Sequence, residues 1–472
     1  MRGIRVRKTL SGKRRVILEF TRLNETHKKE LKSIVAPDRF STGESNLDLH
    51  SRDQSHHEAF LPEAVIWPIT ADEVSEILKY ANRHLIPVTG WGAGTSLEGN
   101  PIPVRAGLVL DFSQMNHILN IREEDFQVDV EPGIDYKTLN EALRHKGLFF
   151  PPDPGASATI GGMIANNASG TRTVRYGSTK DHVLRLSVVL ADGEMIEMGT
   201  RASKTSSGYD LIHLFVGSEG TLGIVVQATL HLMGLPEEFS AAVITFPSVE
   251  AAGKAVFGII RSGLDPAMLE LLAPECVDLM NQEKGLGLDV SPTLLVEFHG
   301  PTKTQLADVM EITREICQEE DCFEFRPALL REERDQLLKA RHELGEMLRR
   351  NHPDRLTMAM DVAVPITAYP ELIAMARKET KNAGVPAYVF GHAGDGNIHV
   401  ALMRKAEDQK ESGIIEGVSH RIVEKALSMD GTATGEHGVG IGKRKYMEIE
   451  HGRSLEWMKK IKSVLDPNGI LN

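Results

Sequence analysis

Thr89-Gly-Trp-Gly-Ala-Gly-Thr-Ser96 follows a short strand-like run at 86–89, and the residues after it decide the fold. A cluster of small residues directly behind a strand has the look of a dinucleotide-binding turn. Such a turn must open a helix. Here Gly99, Pro101, Pro103 and Gly107 come next, and no helix runs through them. A Rossmann arrangement is therefore excluded. The loop exposes successive backbone N–H groups with no helix behind them, a nest able to hold a pyrophosphate. An ordinary tight turn accounts for the same residues equally well.

Outward from this loop, residues 65–234 mix strands, helices and Gly-rich loops. Residues 65–68, 108–112 and 126–130 read as strands. Thr70-Ala-Asp-Glu73 reads as a capping box opening a helix with Val74, Ile77, Leu78 and Ala81 on one face. A second helix spans 136–147. Residues 184–190 alternate and turn through Ala191-Asp-Gly193 into 195–198, and 222–232 is a further strand region. Two more small-residue segments stand out. Pro151-Pro-Asp-Pro-Gly-Ala-Ser-Ala-Thr-Ile-Gly-Gly-Met-Ile-Ala-Asn-Asn-Ala-Ser-Gly170 lets backbone approach a large flat ligand. Gly217-Ser-Glu-Gly-Thr-Leu-Gly-Ile-Val225 runs from a loop into a strand.

A second domain starts near Leu235-Pro236, with strands at 242–246 and 294–300 and amphipathic helices at 305–317, 332–350 and 370–384. It closes with Val389-Phe-Gly-His-Ala-Gly-Asp-Gly-Asn-Ile-His399 and a helix at 413–428. Asp395-Gly396 is a strong two-residue hairpin turn. Centred there, the pairing sets Gly394 against Asn397, Ala393 against Ile398 and His392 against His399. Opposed residues share a face, with Cβ atoms roughly 5 Å apart, so the two imidazoles could chelate one ion. Gly435-Glu-His-Gly438 supplies a further carboxylate and imidazole. Two unrelated histidines on a Gly-rich hairpin are the bland alternative. Gly438-Val-Gly-Ile-Gly-Lys443 is no Walker loop, because His437 stands where the first Gly must be.

The chain has 472 residues, too many for one compact core. Hydrophobic content of 41% and charged content of 25% are those of a soluble globular protein. A net charge of −12 argues against nucleic acid as a partner. No apolar run approaches a membrane span, and no secretory signal is visible. The first twenty residues hold Arg2, Arg5, Arg7, Lys8, Lys13, Arg14 and Arg15, which reads as a disordered basic extension; an anionic membrane surface is its alternative use. Cys276, Cys317 and Cys322 form no CxxC pair, which fits a reducing, cytoplasmic setting and excludes an iron–sulfur cluster on four cysteines of this chain.

Taken together, the three Gly-rich segments resemble the flavin-binding domain of the vanillyl-alcohol oxidase/p-cresol methylhydroxylase family. The Gly-His-x-Gly-Asp-Gly-Asn-x-His hairpin, the Gly-Glu-His-Gly loop and the ending Asp466-Pro-Asn-Gly-Ile-Leu-Asn472 are similar to the branch of FAD-dependent D-lactate dehydrogenases, D-2-hydroxyglutarate dehydrogenases and the D subunit of glycolate oxidase. The match covers about residues 51–472. The resemblance implies an α+β chain: a two-subdomain flavin-binding domain at 21–234, an α+β cap with an antiparallel sheet at 235–430, and a segment at 431–472 returning to the first domain.

It also implies where FAD would lie. Thr89, Gly90, Gly92, Ala93, Gly94, Thr95 and Ser96 would take the pyrophosphate. Pro154, Gly155, Ser157, Thr159, Gly161, Gly162, Asn167, Gly170 and Gly177 would line the cofactor, with Glu219, Gly220, Gly223, Ile224, Val225 and the final Asn472. Some relatives attach the flavin through a histidine in the first loop; Gly92, Ala93 and Gly94 stand there, so FAD is expected to be non-covalent. Some carry a fused iron–sulfur module, expected here to be absent or a separate subunit.

The implied chemistry is oxidation of a small D-2-hydroxy acid. His392, His399 and Glu436 would hold one divalent ion, Zn²⁺ or Mn²⁺, and His437 would be the base. Glu436 and His437 would diverge in a strand, but Gly435, Gly438 and Gly440 let the loop break that alternation. Arg341 would clamp the substrate carboxylate, where relatives use an arginine. Lys443, Arg444 and Lys445 read as a solvated charge run. Several 2-hydroxyglutarate enzymes have a lysine near a point where this chain has Thr357, Met358, Ala359 and Met360, so D-lactate or glycolate is favoured over D-2-hydroxyglutarate. The acceptor is expected to be external and not NAD: a quinone, a cytochrome, a flavoprotein or an iron–sulfur subunit. Any membrane contact would be peripheral, at the inner membrane surface, and the oligomeric state is open. A redox-neutral flavin transferase and a non-catalytic FAD subunit are the readings from other classes.

Overall fold

The strand Val88–Trp91 carries the first Gly-rich loop out of a small sheet. It runs parallel to Leu108–Asp111, which is parallel in turn to Ala64–Ile66, with Phe40–Ser41 antiparallel at the edge. The structure is a computed structural model, and it describes residues 5–8, 14–17, 19–328 and 331–472. Half of the expected disordered extension at 1–20 falls outside these residues. The two pieces described there, Arg5–Lys8 and Arg14–Ile17, pair as an antiparallel ribbon.

Helix Ala71–His84 packs on the small sheet through Val74, Ile77, Leu78 and Ala81, the stripe its periodicity specified. Thr70 accepts from the Glu73 N–H at its start. The reciprocal half of the capping box is displaced by one residue: Glu73 accepts from Ile69 and grips Arg39 with both oxygens at 2.6 Å. The chain's end lies beside the same sheet. Val88 donates to Ile470 and Asn472 donates back to Val88, a single parallel bridge.

A five-stranded antiparallel sheet follows, in the order Met195–Gly199, Val183–Val189, Ile224–His231, Gln127–Val130 and Ile118–Arg122. Within the long small-residue segment, Ile160–Asn166 forms a helix capped by Thr159, where open loop was the natural reading. The hydroxyl of Thr159 satisfies the Gly162 N–H, and Ile160, Met163 and Ile164 bury one face.

Residues after 235 build a seven-stranded antiparallel sheet. Its order is Glu324–Ala328, Glu238–Thr245, Thr293–Gly300, Met268–Leu272, Ala387–His392, Asn397–Lys405 and Arg355–Ala363. Strand alternation gives the sheet two unlike faces. Leu269, Leu271, Val296, Val389, Val400 and Val362 point into a core under the helices Val249–Arg261, Lys303–Glu319, Tyr369–Ala383 and Gln409–Ser428. The registers put Glu297, Glu270, His392, His399 and Asp361 on the opposite face. The helix expected over 332–350 is two helices, Arg331–His342 and Leu344–Asn351, because Glu343 at ψ −2° breaks the run while its carboxylate holds Lys284.

Candidate active site

The histidine hairpin differs in register from its sequence reading. Ala393–Asp395 forms a 3₁₀ turn closed by Gly396 at φ +70°, so the connection is longer than two residues. Phe390, not His392, stands opposite His399, and His392 stands opposite Glu270 of the next strand. The slip is two residues, and a strand's period is two, so both histidines keep the same face. Their rings meet at right angles with centroids 5.0 Å apart.

Glu436 completes the cluster. The Nε2 atoms of His392 and His399 each lie 3.3 Å from Glu436 Oε1, and the three ligand atoms fall within 4.8 Å of one another. Each Nδ1 faces a buried carboxylate: Glu270 Oε1 at 2.6 Å for His392, Asp361 Oδ1 at 3.7 Å for His399. A carboxylate behind Nδ1 is the arrangement that would leave Nε2 of a neutral imidazole to a common centre. Burial disfavours charge on His392, but Glu270 and Glu436 outweigh it and push the imidazole up to about 10. Burial leaves His399 below its ordinary value despite Glu436. Glu436 is held far below the carboxylate range by His392 and His399 against the cost of burial. Two imidazoles and one carboxylate are a donor set that fits a divalent ion.

Glu270 and Asp361 carry much of this arrangement and went unnoticed in the sequence. Each is fully buried. The available signal was an acid inside an apolar strand, Met268-Leu-Glu-Leu-Leu272 and Met360-Asp-Val-Ala-Val364, since an unpaired buried carboxylate is costly. Arg341 is neither solvated nor free: Nε lies 2.8 Å and Nη2 2.6 Å from Glu270 Oε2, and the guanidinium lies 5.0 Å from the Phe390 ring. Its Nη1 makes no hydrogen bond among the described residues. Lys443 also departs from expectation. It is buried, 3.7 Å from Glu98 Oε1 and 3.4 Å from the Asp361 carbonyl, so only its neighbours Arg444 and Lys445 suit a solvated run.

His437 stacks on His399 with centroids 5.2 Å apart and planes 15° from parallel, and its Nδ1 is buried without a partner. His437 and Glu436 both line a cleft running between the first loop, the Thr159 helix and the Glu219–Val225 segment. Ser169 donates to Glu436 Oε2 at 2.7 Å and Asn166 to the His437 carbonyl at 3.3 Å, joining the two domains at this point.

The cleft is lined by residues 90 and 92–96, Pro154, Thr159, Gly161, Gly162, Glu219, Gly220, 223–225 and Asn472, all among those the resemblance assigns to FAD. The N–H groups of residues 93–96 make no hydrogen bond among the described residues, which suits a loop that binds a pyrophosphate. Six expected cofactor residues lie off the cleft wall. Thr89 is buried in the strand ladder. Gly155 turns its N–H to Asp153, and Ser157 bonds Asp135. The Asn167 side chain accepts from Ser178 and Lys180. Gly170, at φ +140°, lies against the Asp153 carbonyl, and Gly177, at φ +81°, against the Asp181 carboxylate; both serve the backbone path. Glu219 lines the cleft but turns its carboxylate away, accepting from the N–H groups of Val439 at 2.6 Å and Gly440 at 2.9 Å.

The family described as "FAD linked oxidases, C-terminal domain" matches residues 235–472, and "FAD binding domain" matches residues 62–199. The chain belongs to the FAD-linked oxidases. It is an FAD-dependent oxidoreductase. Among its relatives, the probable mitochondrial D-lactate dehydrogenase of Danio rerio is 38% identical, over 93% of this chain and 89% of that protein. The glycolate oxidase subunit GlcD of Bacillus subtilis (strain 168) is 36% identical, over 94% and 95%. In fold, 4-ethylphenol oxidase from Gulosibacter chungangensis superposes with a TM-score of 0.78 at 19% identity, over 94% of this chain and 95% of that one. p-Cresol methylhydroxylase with substrate bound gives 0.74 at 17%, over 94% of each. The flavin-binding fold of the vanillyl-alcohol oxidase/p-cresol methylhydroxylase type, read from the Gly-rich loops, is therefore the fold of this chain. Among the described residues no helix is long and apolar enough to cross a membrane.

Proposed function

We propose that this FAD-linked oxidase oxidises a small D-2-hydroxy acid, D-lactate or glycolate, to the 2-oxo acid and passes the electrons to an external acceptor other than NAD. One observation carries the reading: two imidazole Nε2 atoms converge on one oxygen of Glu436 at the wall of the flavin cleft, beside His437. The names of the relatives point the same way. When bound, FAD supplies the acceptor for the hydride from C2, and a divalent ion, Zn²⁺ or Mn²⁺, polarises the substrate hydroxyl.

The chain's residues do the rest. His392, His399 and Glu436 hold the ion, with Glu270 and Asp361 behind the imidazoles. His437 Nδ1, buried and unpartnered, takes the hydroxyl proton. Arg341, fixed by Glu270, offers Nη1 to the substrate carboxylate. Thr357 and Ala359 share the Asp361 face of their strand and bring no charge, while Met358 and Met360 face the core. The cation on that strand face, Arg355, is already paired with Glu411 Oε2 at 3.1 Å, which favours a monocarboxylate over 2-hydroxyglutarate.

The test is anaerobic mixing of the holoenzyme with D-lactate, L-lactate, glycolate or D-2-hydroxyglutarate while the visible flavin band is followed. Bleaching by D-lactate or glycolate, lost with a chelator and restored by metal, is the expected result. No bleaching by any of the four, with FAD and metal present, would sink the reading.

A further inference from the structure

We propose that Asp361 is the positioning residue that turns two consecutive side chains, Glu436 and His437, onto one centre. The proposal rests on the metal-and-base reading above. Neighbours in an extended chain point to opposite sides. Here they do not, and one carboxylate oxygen accounts for the difference. Asp361 Oδ2 accepts from the Glu436 N–H at 2.8 Å, the His437 N–H at 3.1 Å and the Thr434 hydroxyl at 2.9 Å. Two successive N–H groups aimed at one oxygen curl the backbone into a nest around an anion. In that curl the Glu436 carboxylate reaches His392 and His399 while the His437 ring stacks on His399.

The other oxygen ties the same aspartate to the ion site. Oδ1 accepts from Asn397 Nδ2 at 2.5 Å and stands 3.7 Å from His399 Nδ1. Asp361 is also the direct ladder partner of His399, so the ligand histidine and the loop share one anchor. Gly435 fits the same account: a Cβ there would lie 2.2 Å from Asn397 Nδ2 and 3.0 Å from Asp361 Oδ1. Glu219 holds the far end of the loop, at Val439 and Gly440, from the flavin side. Its carboxylate reaches neither the Glu436 nor the His437 N–H.

The test uses the FAD-loaded protein and three variants, Asp361→Ala, Asp361→Asn and Thr434→Ala, beside the wild type. Zinc affinity is measured against a competing chelator. The limiting rate of flavin reduction and the half-saturating substrate concentration are measured with D-lactate and glycolate at saturating zinc. Asp361→Ala is expected to keep FAD with an unaltered spectrum, to weaken zinc about 10–100-fold, and to lose a comparable factor in limiting rate with little change in half-saturation. Asp361→Asn keeps one acceptor oxygen without the charge and should fall in between. Thr434→Ala leaves the nest intact and should stay within a few-fold of wild type. Wild-type zinc affinity and limiting rate in Asp361→Ala, whatever its melting temperature, would overturn the proposal. If that variant does not fold, wild-type behaviour of Asp361→Asn would overturn it. A wild type that binds no zinc and reduces no flavin would instead overturn the underlying reading, and this proposal with it.

Discussion

Two Arg–Glu–His chains lie side by side on the inner face of the cap sheet, and they end differently. Arg334 and Arg341 are seven residues apart on helix Arg331–His342, about two turns, and so share a face. Arg341 grips Glu270, which holds His392. Arg334 grips Glu297 with Nε at 2.6 Å and Nη2 at 2.7 Å, and Glu297 holds His299 Nε2 at 2.6 Å. The second chain then closes: His299 Nδ1 meets the Tyr176 hydroxyl at 2.7 Å, and both ring nitrogens have partners. In the first chain Nε2 faces Glu436 beside a second imidazole. The same three residue types thus make a strap between domains in one case and stand behind the proposed ion site in the other. What separates them is the last partner: a tyrosine hydroxyl closes the second chain, whereas the first ends on a carboxylate shared with a second imidazole.

The sharpest way to break this comparison is to remove the histidines. His392→Ala and His437→Ala are each expected to slow flavin reduction by substrate at least about 100-fold with the flavin spectrum intact. His299→Ala should leave the rate within a few-fold, and an equal loss there, in stopped-flow traces, would erase the distinction. Next come the glutamates. Glu270→Gln should weaken metal binding about 10–100-fold, and by leaving Arg341 poorly paired it should cost on the order of 3 kcal/mol in chemical denaturation. Glu297→Gln should carry a comparable stability cost with unchanged metal affinity.

The pH dependence of the strap sharpens the contrast. Burial opposes charge on Glu297, but His299 and Arg334 outweigh it and bring the carboxyl from 4.5 down to about 2. The folded value is below the unfolded one. The stability it contributes, about 3 kcal/mol, is therefore complete above roughly pH 4.5 and drains as pH falls toward 2. Denaturation midpoints of wild type should fall across that window, and Glu297→Gln should flatten the slope. The smallest effect is expected from Tyr176→Phe, which removes one hydrogen bond of the strap and costs about 1 kcal/mol by thermal melting, with activity unchanged.

Much of the site was legible because its motifs are local. The Gly-rich loop at 89–96 followed by prolines excluded a helix, and the cleft it forms is where the flavin segments meet. His392, His399, Glu436 and His437 were readable from two short motifs. The hairpin register was misread, yet an error of two residues could not change the face. Gly170 and Gly177 lie off the cleft wall, and a glycine required by positive φ looks like one required by a ligand in sequence. Lys443 was misread because a run of three cations gives no sign that one of them enters the core.

The motifs along this chain by themselves determined the family and the cofactor type, since each motif depends on residues within a short stretch. Only the tertiary structure decided which carboxylates stand behind the histidines. Glu270 is 122 positions from His392, and Asp361 is 75 from Glu436. Contacts of that span are made by strand order and register, and neither is written in any one stretch of sequence.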